Sequence, residues 1–65
     1  MNPKYPNVVV SSNINGNAFV IMGAVSYALR RGGVSNDEVD QFKREAMSGD
    51  YNNLLQTVMK WVTFE

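Results

Sequence analysis

The 65-residue chain contains no cysteine and no histidine, and each absence removes a class of chemistry. Without cysteine no disulfide can staple the fold, and no thiolate is available to bind zinc or attack a substrate. Without histidine the commonest transition-metal ligand is missing, and so is the side chain best suited to proton transfer near neutral pH. An excess of charge is lacking as well, because six basic residues balance six acidic ones. Zero net charge gives little long-range pull toward nucleic acid or anionic lipid, and it eases self-association. The longest apolar run falls short of the roughly 20 residues that cross a bilayer. That run also lacks the charged leader and start-of-chain position of a secretory signal. Together these absences predict a soluble, cytoplasmic protein with no cofactor, no metal centre and no membrane partner.

What the chain does have is a stretch from Ala18 to Leu29, Ala-Phe-Val-Ile-Met-Gly-Ala-Val-Ser-Tyr-Ala-Leu, in which only Gly23 and Ser26 break the apolar character. As a helix it has no polar side, and a helix apolar all round must be covered all round. A single domain spanning 1–65 offers few elements to do this. At this size folding removes only roughly 60% of the unfolded chain's surface from water, so a lone core is marginal and oligomerisation is a common remedy. The chain is therefore expected to form a homo-oligomer through this helix. Gly23 and Ala24 would permit close backbone approach, and Val20, Tyr27 and Trp61 complete the expected interface.

Residues 1–7 carry Pro3 and Pro6 and read as an extended surface arm. Val8, Val9 and Val10, closed by Ser11 and Ser12, predict a short strand. Its partner is either the same strand of a second subunit or the C-terminal Trp61-Val62-Thr63-Phe64-Glu65, which also favours strand. The apolar helix should begin near Asn17 and stop at Arg30 or Arg31, before Gly32 and Gly33. A second helix is announced by Ser35 with Glu38 as a capping box and Val34 with Val39 as a staple. Its buried face should hold Val39, Phe42, Ala46 and Met47, and Gly49 should end it. Asp50 caps a third, with Tyr51, Leu54, Leu55, Val58, Met59 and Val62 as its apolar stripe and Asn52, Asn53, Gln56, Thr57 and Lys60 opposite. The fold class is mainly α: a three-helix domain with a short N-terminal strand and a C-terminal one as its candidate partner.

Several features suggest recognition. Asn15-Gly16-Asn17 precedes a helix N-terminus, where unpaired N–H groups and the positive end of the dipole can hold an anion, although the same residues also make an ordinary cap. Phe19 beside it could stack on a base or join the core. Arg30 and Arg31 could grip phosphates, or simply complement the helix C-terminus. Tyr51 and Gln56 are further candidates for a ligand wall. The polar face of the third helix evokes a helix-turn-helix reader of DNA, but Lys60 is its only cation, and duplex binding draws on many phosphate contacts. The set Asp37, Glu38 and Asp40 makes a poor metal site, since the capping box already occupies Glu38.

Gly16-Asn17-Ala18-Phe19, Ala28-Leu29-Arg30-Arg31, Glu45-Ala46-Met47-Ser48-Gly49-Asp50-Tyr51, Leu54-Leu55-Gln56-Thr57 and Trp61-Val62 together resemble a family of small uncharacterised proteins of bacteriophage and bacterial genomes. The likeness covers about residues 16–62 and implies context: a phage or mobile-element accessory protein, acting in the host cytoplasm. For such a protein the residues above suggest sequestration of a small nucleotide-type anion at subunit interfaces, countering host immunity. The ligand residues would be Asn15, Gly16, Asn17, Phe19, Arg30, Arg31, Tyr51 and Gln56. Alternatives are a protein-binding inhibitor of a host factor or small assembly protein and, third, a DNA-binding regulator. No constellation of carboxylates, Lys, Ser or Tyr stands out as catalytic.

Overall fold

In the computed structural model, which describes residues 3–65, the elements run β1 (Tyr5–Val10), α1 (Ala18–Arg31), α2 (Asn36–Ala46), α3 (Tyr51–Trp61) and β2 (Val62–Phe64). Among the described residues the fold is thus mainly helical, with a strand at each end, and none of its helices is long and apolar enough to cross a membrane.

Each helix starts where a side chain can satisfy orphan N–H groups. Asn17 Oδ1 accepts from Phe19 N at 2.8 Å, Ser35 Oγ from Glu38 N at 3.3 Å, and Asp50 Oδ1 from Asn53 N at 2.9 Å. The end of α1 is closed by Gly33, whose φ of 86° lies in the left-handed region. Gly33 N donates to Arg30 O and Val34 N to Leu29 O, each at 3.0 Å, which is a Schellman motif. Gly32 matters for a different reason: a Cβ there would sit 2.9 Å from Val8 Cγ2, so its absence lets β1 lie against the end of α1.

The two strands pair with each other in parallel within one chain, with Val9 opposite Thr63 and Val10 opposite Phe64. Parallel pairing needs a long crossover, which the three helices provide. The strand begins at Tyr5 rather than Val8, so the later part of the expected surface arm is built into the sheet; Met1 and Asn2 lie outside the described residues. The register is irregular between Tyr5 and Val9, the segment that contains Pro6, which has no N–H to give to a ladder.

The core sits where the three helices meet beneath the strands. Ile21, Val25 and Leu29 of α1, Val39, Phe42 and Ala46 of α2, Leu54, Val58 and Trp61 of α3, and Val10 and Val62 of the strands are all buried. Phe42 is fully enclosed and meets Trp61 edge-on at 5.8 Å. Trp61 is therefore corrected from interface to core; its Nε1 donates to Glu45 Oε2 at 2.7 Å. Two stripes also need correction. On α3 the buried line is Leu54, Thr57, Val58 and Trp61, leaving Tyr51 and Met59 exposed, and Met47 lies past the end of α2, exposed.

Candidate functional site

A cavity of about 230 Å³ opens between the start of α1 and the α2–α3 corner. Ala18, Phe19 and Met22 line it from α1, Ala46 and Met47 from the end of α2, and Gly49, Asp50, Tyr51 and Leu54 from the corner and α3. The local sequence explains its position. The corner of Met47, Ser48 and Gly49 is tightened by Ser48 Oγ and Asn53 Nδ2, both donating to Glu45 O. Asp50 then starts α3 at once, so the first turns of α1 and α3 face one hollow. Tyr51 Oη donates to Gly16 O at 2.6 Å and ties the loop before α1 to α3.

The floor is apolar, and three large apolar side chains stand around it in water: Phe19 is 71% exposed, Met47 61% and Tyr51 45%. Such a hollow can hold a planar ring between aromatic faces. Its polar equipment is main chain, namely the first-turn N–H groups of two helices, which have no intrahelical acceptor. Some of that equipment is already in use. Asn15 Oδ1 accepts from Asn17 N at 2.9 Å, and Asn17 Oδ1 from Phe19 N, so one donor of the Asn-Gly-Asn loop and one of the first turn of α1 are already spent. The lining has no cation, and its carboxylate, Asp50, caps α3.

Of the residues expected to bind ligand, Asn15, Gly16, Asn17, Phe19 and Tyr51 gather at this end of the molecule. Arg30 and Arg31 do not join them. They lie at the far end of a 14-residue helix, about 20 Å away along its axis. Nor do they act as one grip, because successive helical residues point about 100° apart. Arg31 lines a second groove beside β1, where its Nη1 donates to Tyr27 Oη at 3.4 Å, while Arg30 is exposed. Gln56 is exposed on α3 outside the cavity lining.

The expected interface residues Val20, Gly23 and Tyr27 do form an exposed ridge along α1, continued by Phe19 and Arg30, whereas Ala24 is half-buried beside the β1 groove. The DNA-reader face is depleted. Thr57 is buried and Asn53 is bound to Glu45 O, which leaves Asn52, Gln56 and Lys60 in water.

Sequence reasoning missed one polar cluster. The Glu38 carboxylate does not close the capping box; it pairs with Lys4 Nζ and accepts from Tyr5 Oη. Lys4 Nζ also lies 4.6 Å from the centre of the Trp61 ring, on which Tyr5 stacks at 6.0 Å. The Lys4 hydrogen bond, then that of Tyr5, holds Glu38 below the usual carboxylate range. Glu38 in turn raises Lys4, and it raises Tyr5 with help from desolvation. No local pattern announces this, since Lys4 and Tyr5 read as arm. Among the described residues no acidic cluster is grouped to hold a metal ion.

Comparison with protein-family models, curated proteins and solved structures finds no match for this chain.

Proposed function

We propose that the chain is a non-catalytic binding module that sequesters a small nucleotide-type anion as a homo-oligomer built on α1. The observation that carries this reading is the apolar hollow walled by Phe19 and Tyr51 at two helix starts. At about 230 Å³ it is smaller than the roughly 300–1,000 Å³ of pockets that enclose a whole small molecule. It suits one planar ring, with the rest of the ligand lying on the rim.

The rim needs positive charge that the pocket's own chain does not bring. A second copy can supply it. Gly16 and Arg30 are equally far along the chain from Gly23, so a two-fold axis across Gly23 sets Arg30 of one subunit level with Gly16 of the other. In that arrangement cations meet the positive end of a helix, which repels unless an anion lies between them. The exposed side chains on this surface, Phe19, Val20, Tyr27, Met47 and Tyr51, offer on the order of 500 Å² of apolar area. With Gly23 and the arginines around them, this approaches the roughly 800 Å² per partner of a standard interface. On the phage or mobile-element context that the sequence resemblance implies, the ligand would be a nucleotide messenger of host immunity.

The test is calorimetry and thermal shift with cyclic nucleotides and ADP-ribose-type nucleotides, together with native mass measurement. Saturable binding by a dimer or larger assembly supports the reading, and no response to any of these nucleotides overturns it. A second reading, an inhibitor that docks on a host protein, draws on the same exposed apolar ridge, since monomers rarely leave patches above a few hundred Å² uncovered. A stable monomer in solution favours that second reading.

A further inference from the structure

The second groove, of about 510 Å³, lies on the other side of α1 from the ligand hollow and runs beside β1. Its walls are Val8, Val9 and Ser11 on the strand side and Ala24, Ala28 and Arg31 on α1. The hydrogen bonds of β1 fix which of its main-chain groups face this groove. Val10 O accepts from Glu65 N at 3.1 Å and Ser12 N donates to Glu65 O, so residues 10 and 12 address β2. Strand alternation turns the N–H and C=O groups of Val9 to the opposite edge, and Ser11, just past the end of β1 and between the bonded residues 10 and 12, continues that edge. Among the described residues that edge has no strand beside it, because the sheet consists of β1 and β2.

Unpaired strand edges template the addition of another strand unless charge, proline or cover blunts them. Here Val9 is 54% exposed, and α1 lines the groove with the small Ala24 and Ala28, flanked by Tyr27 and Arg31. With strands about 4.8 Å apart, sheets about 10 Å from their neighbours and a rise of about 3.3 Å, one strand residue fills roughly 160 Å³. The groove therefore has room for about three. Its charge selects among occupants. Arg31 is the cation in the lining, no carboxylate lines the groove, and among the described residues the ion pair formed is that of Lys4 with Glu38.

We propose that the free edge of β1 receives an extended acidic segment of a partner protein as a third strand, with a carboxylate of that segment on Arg31. Main-chain bonds to Val9 and Ser11 supply the docking. Arg31 supplies the preference for acid.

The probe is the peptide acetyl-Thr-Val-Thr-Val-Glu-amide, with counterparts carrying Gln or Lys in place of Glu, titrated into the full chain and followed by NMR and amide hydrogen exchange. The acidic peptide should bind saturably and slow exchange at Val9 and Ser11 while leaving Tyr51 unchanged. The Gln peptide, and separately Arg31→Gln, should each weaken binding about tenfold, with little further loss when combined, since a charge-assisted hydrogen bond is removed either way. Val9→Pro, which deletes an edge donor but no bond to β2, should abolish binding with the helical circular dichroism retained. If that variant misfolds, the exchange pattern of the unaltered chain still decides the matter. No saturable binding at millimolar peptide, or equal binding of the Glu, Gln and Lys peptides, overturns the proposal. So does concentration-dependent protection of Val9 and Ser11 without peptide, which would give the edge to a second copy of this chain.

Discussion

Gly23 stands in the middle of α1, where glycine is about 1 kcal/mol less favourable than alanine. Nothing among the described residues requires it: a Cβ built there meets no atom of theirs beyond its own helix within 4 Å, and its φ is not in the left-handed region. Gly23→Ala should therefore stabilise the isolated chain by about 1 kcal/mol. For a domain of this size that raises Tm by about 7 °C. The assay is thermal unfolding by circular dichroism at a dilution where sedimentation reports a monomer. At high concentration the same methyl group stands on the proposed two-fold axis, so the variant should dissociate more readily than the unaltered chain, and Gly23→Leu more readily still. A monomer Tm that stays put or falls would refute the claim that this helix face is open within one chain. A raised Tm with unchanged association would remove Gly23 from the proposed interface.

Three other perturbations read the fold itself. Phe42→Ala deletes a fully buried ring packed on Trp61 and should cost about 3–5 kcal/mol, comparable with the whole stability of so small a domain, so urea titration should find it largely unfolded at 25 °C. Ser26 is buried with its hydroxyl unpartnered, so Ser26→Ala should be neutral or stabilising by up to about 1 kcal/mol, and a clear drop in the urea midpoint would show a missed hydrogen bond. Glu38 is held below its ordinary value of 4.5, so its contribution is present above that pH and lost as pH falls through the lowered value. Lys4 and Tyr5 are raised above 10.5 and 10.0, so theirs is present below those values and lost as pH rises through the raised ones. Stability from this cluster should be flat between, and Lys4→Gln should flatten the acid limb of a plot of urea midpoint against pH.

What could be read along the chain was what is decided along the chain. The caps Asn17, Ser35 and Asp50 and the glycine stop after Arg31 act within a few residues of themselves, and the helix boundaries follow from them. Their partners across the fold could not be read in this way. The strand of Val8–Val10 has two candidate mates of equal local merit, and the choice falls to the C-terminal strand once three helices have carried the chain back beside it. The phase of α3 is also a tertiary matter. Trp61 must meet both Phe42 and Glu45, which turns Thr57 inward and Tyr51 and Met59 outward. For the candidate site, the loop before α1 was visible as a helix start, but its floor comes from α2 and α3, and its link to Tyr51 joins residues far apart in sequence.

The exposed ridge of α1 bears on why such a helix exists at all. Core packing uses Ile21, Val25 and Leu29, and the strands and the other two helices are satisfied by that one side. Phe19, Val20 and Tyr27 lie outside that buried cluster and stay exposed. Keeping them in water forgoes on the order of 25 cal/mol for each Å² that burial would return. For the surface estimated above, about 500 Å² on each of two subunits, the gross gain on forming a dimer is on the order of 25 kcal/mol, set against roughly 4–15 kcal/mol for lost translational and rotational freedom together with side-chain ordering and the desolvation of polar groups. Only the surplus over these costs holds an interface on this ridge together, and a ligand held between Phe19, Tyr51 and a second copy's Arg30 would add to it. Substituting Val20→Lys separates the two demands on this helix: folding should be unaffected, because the side chain already faces water, while assembly and nucleotide binding should fall together.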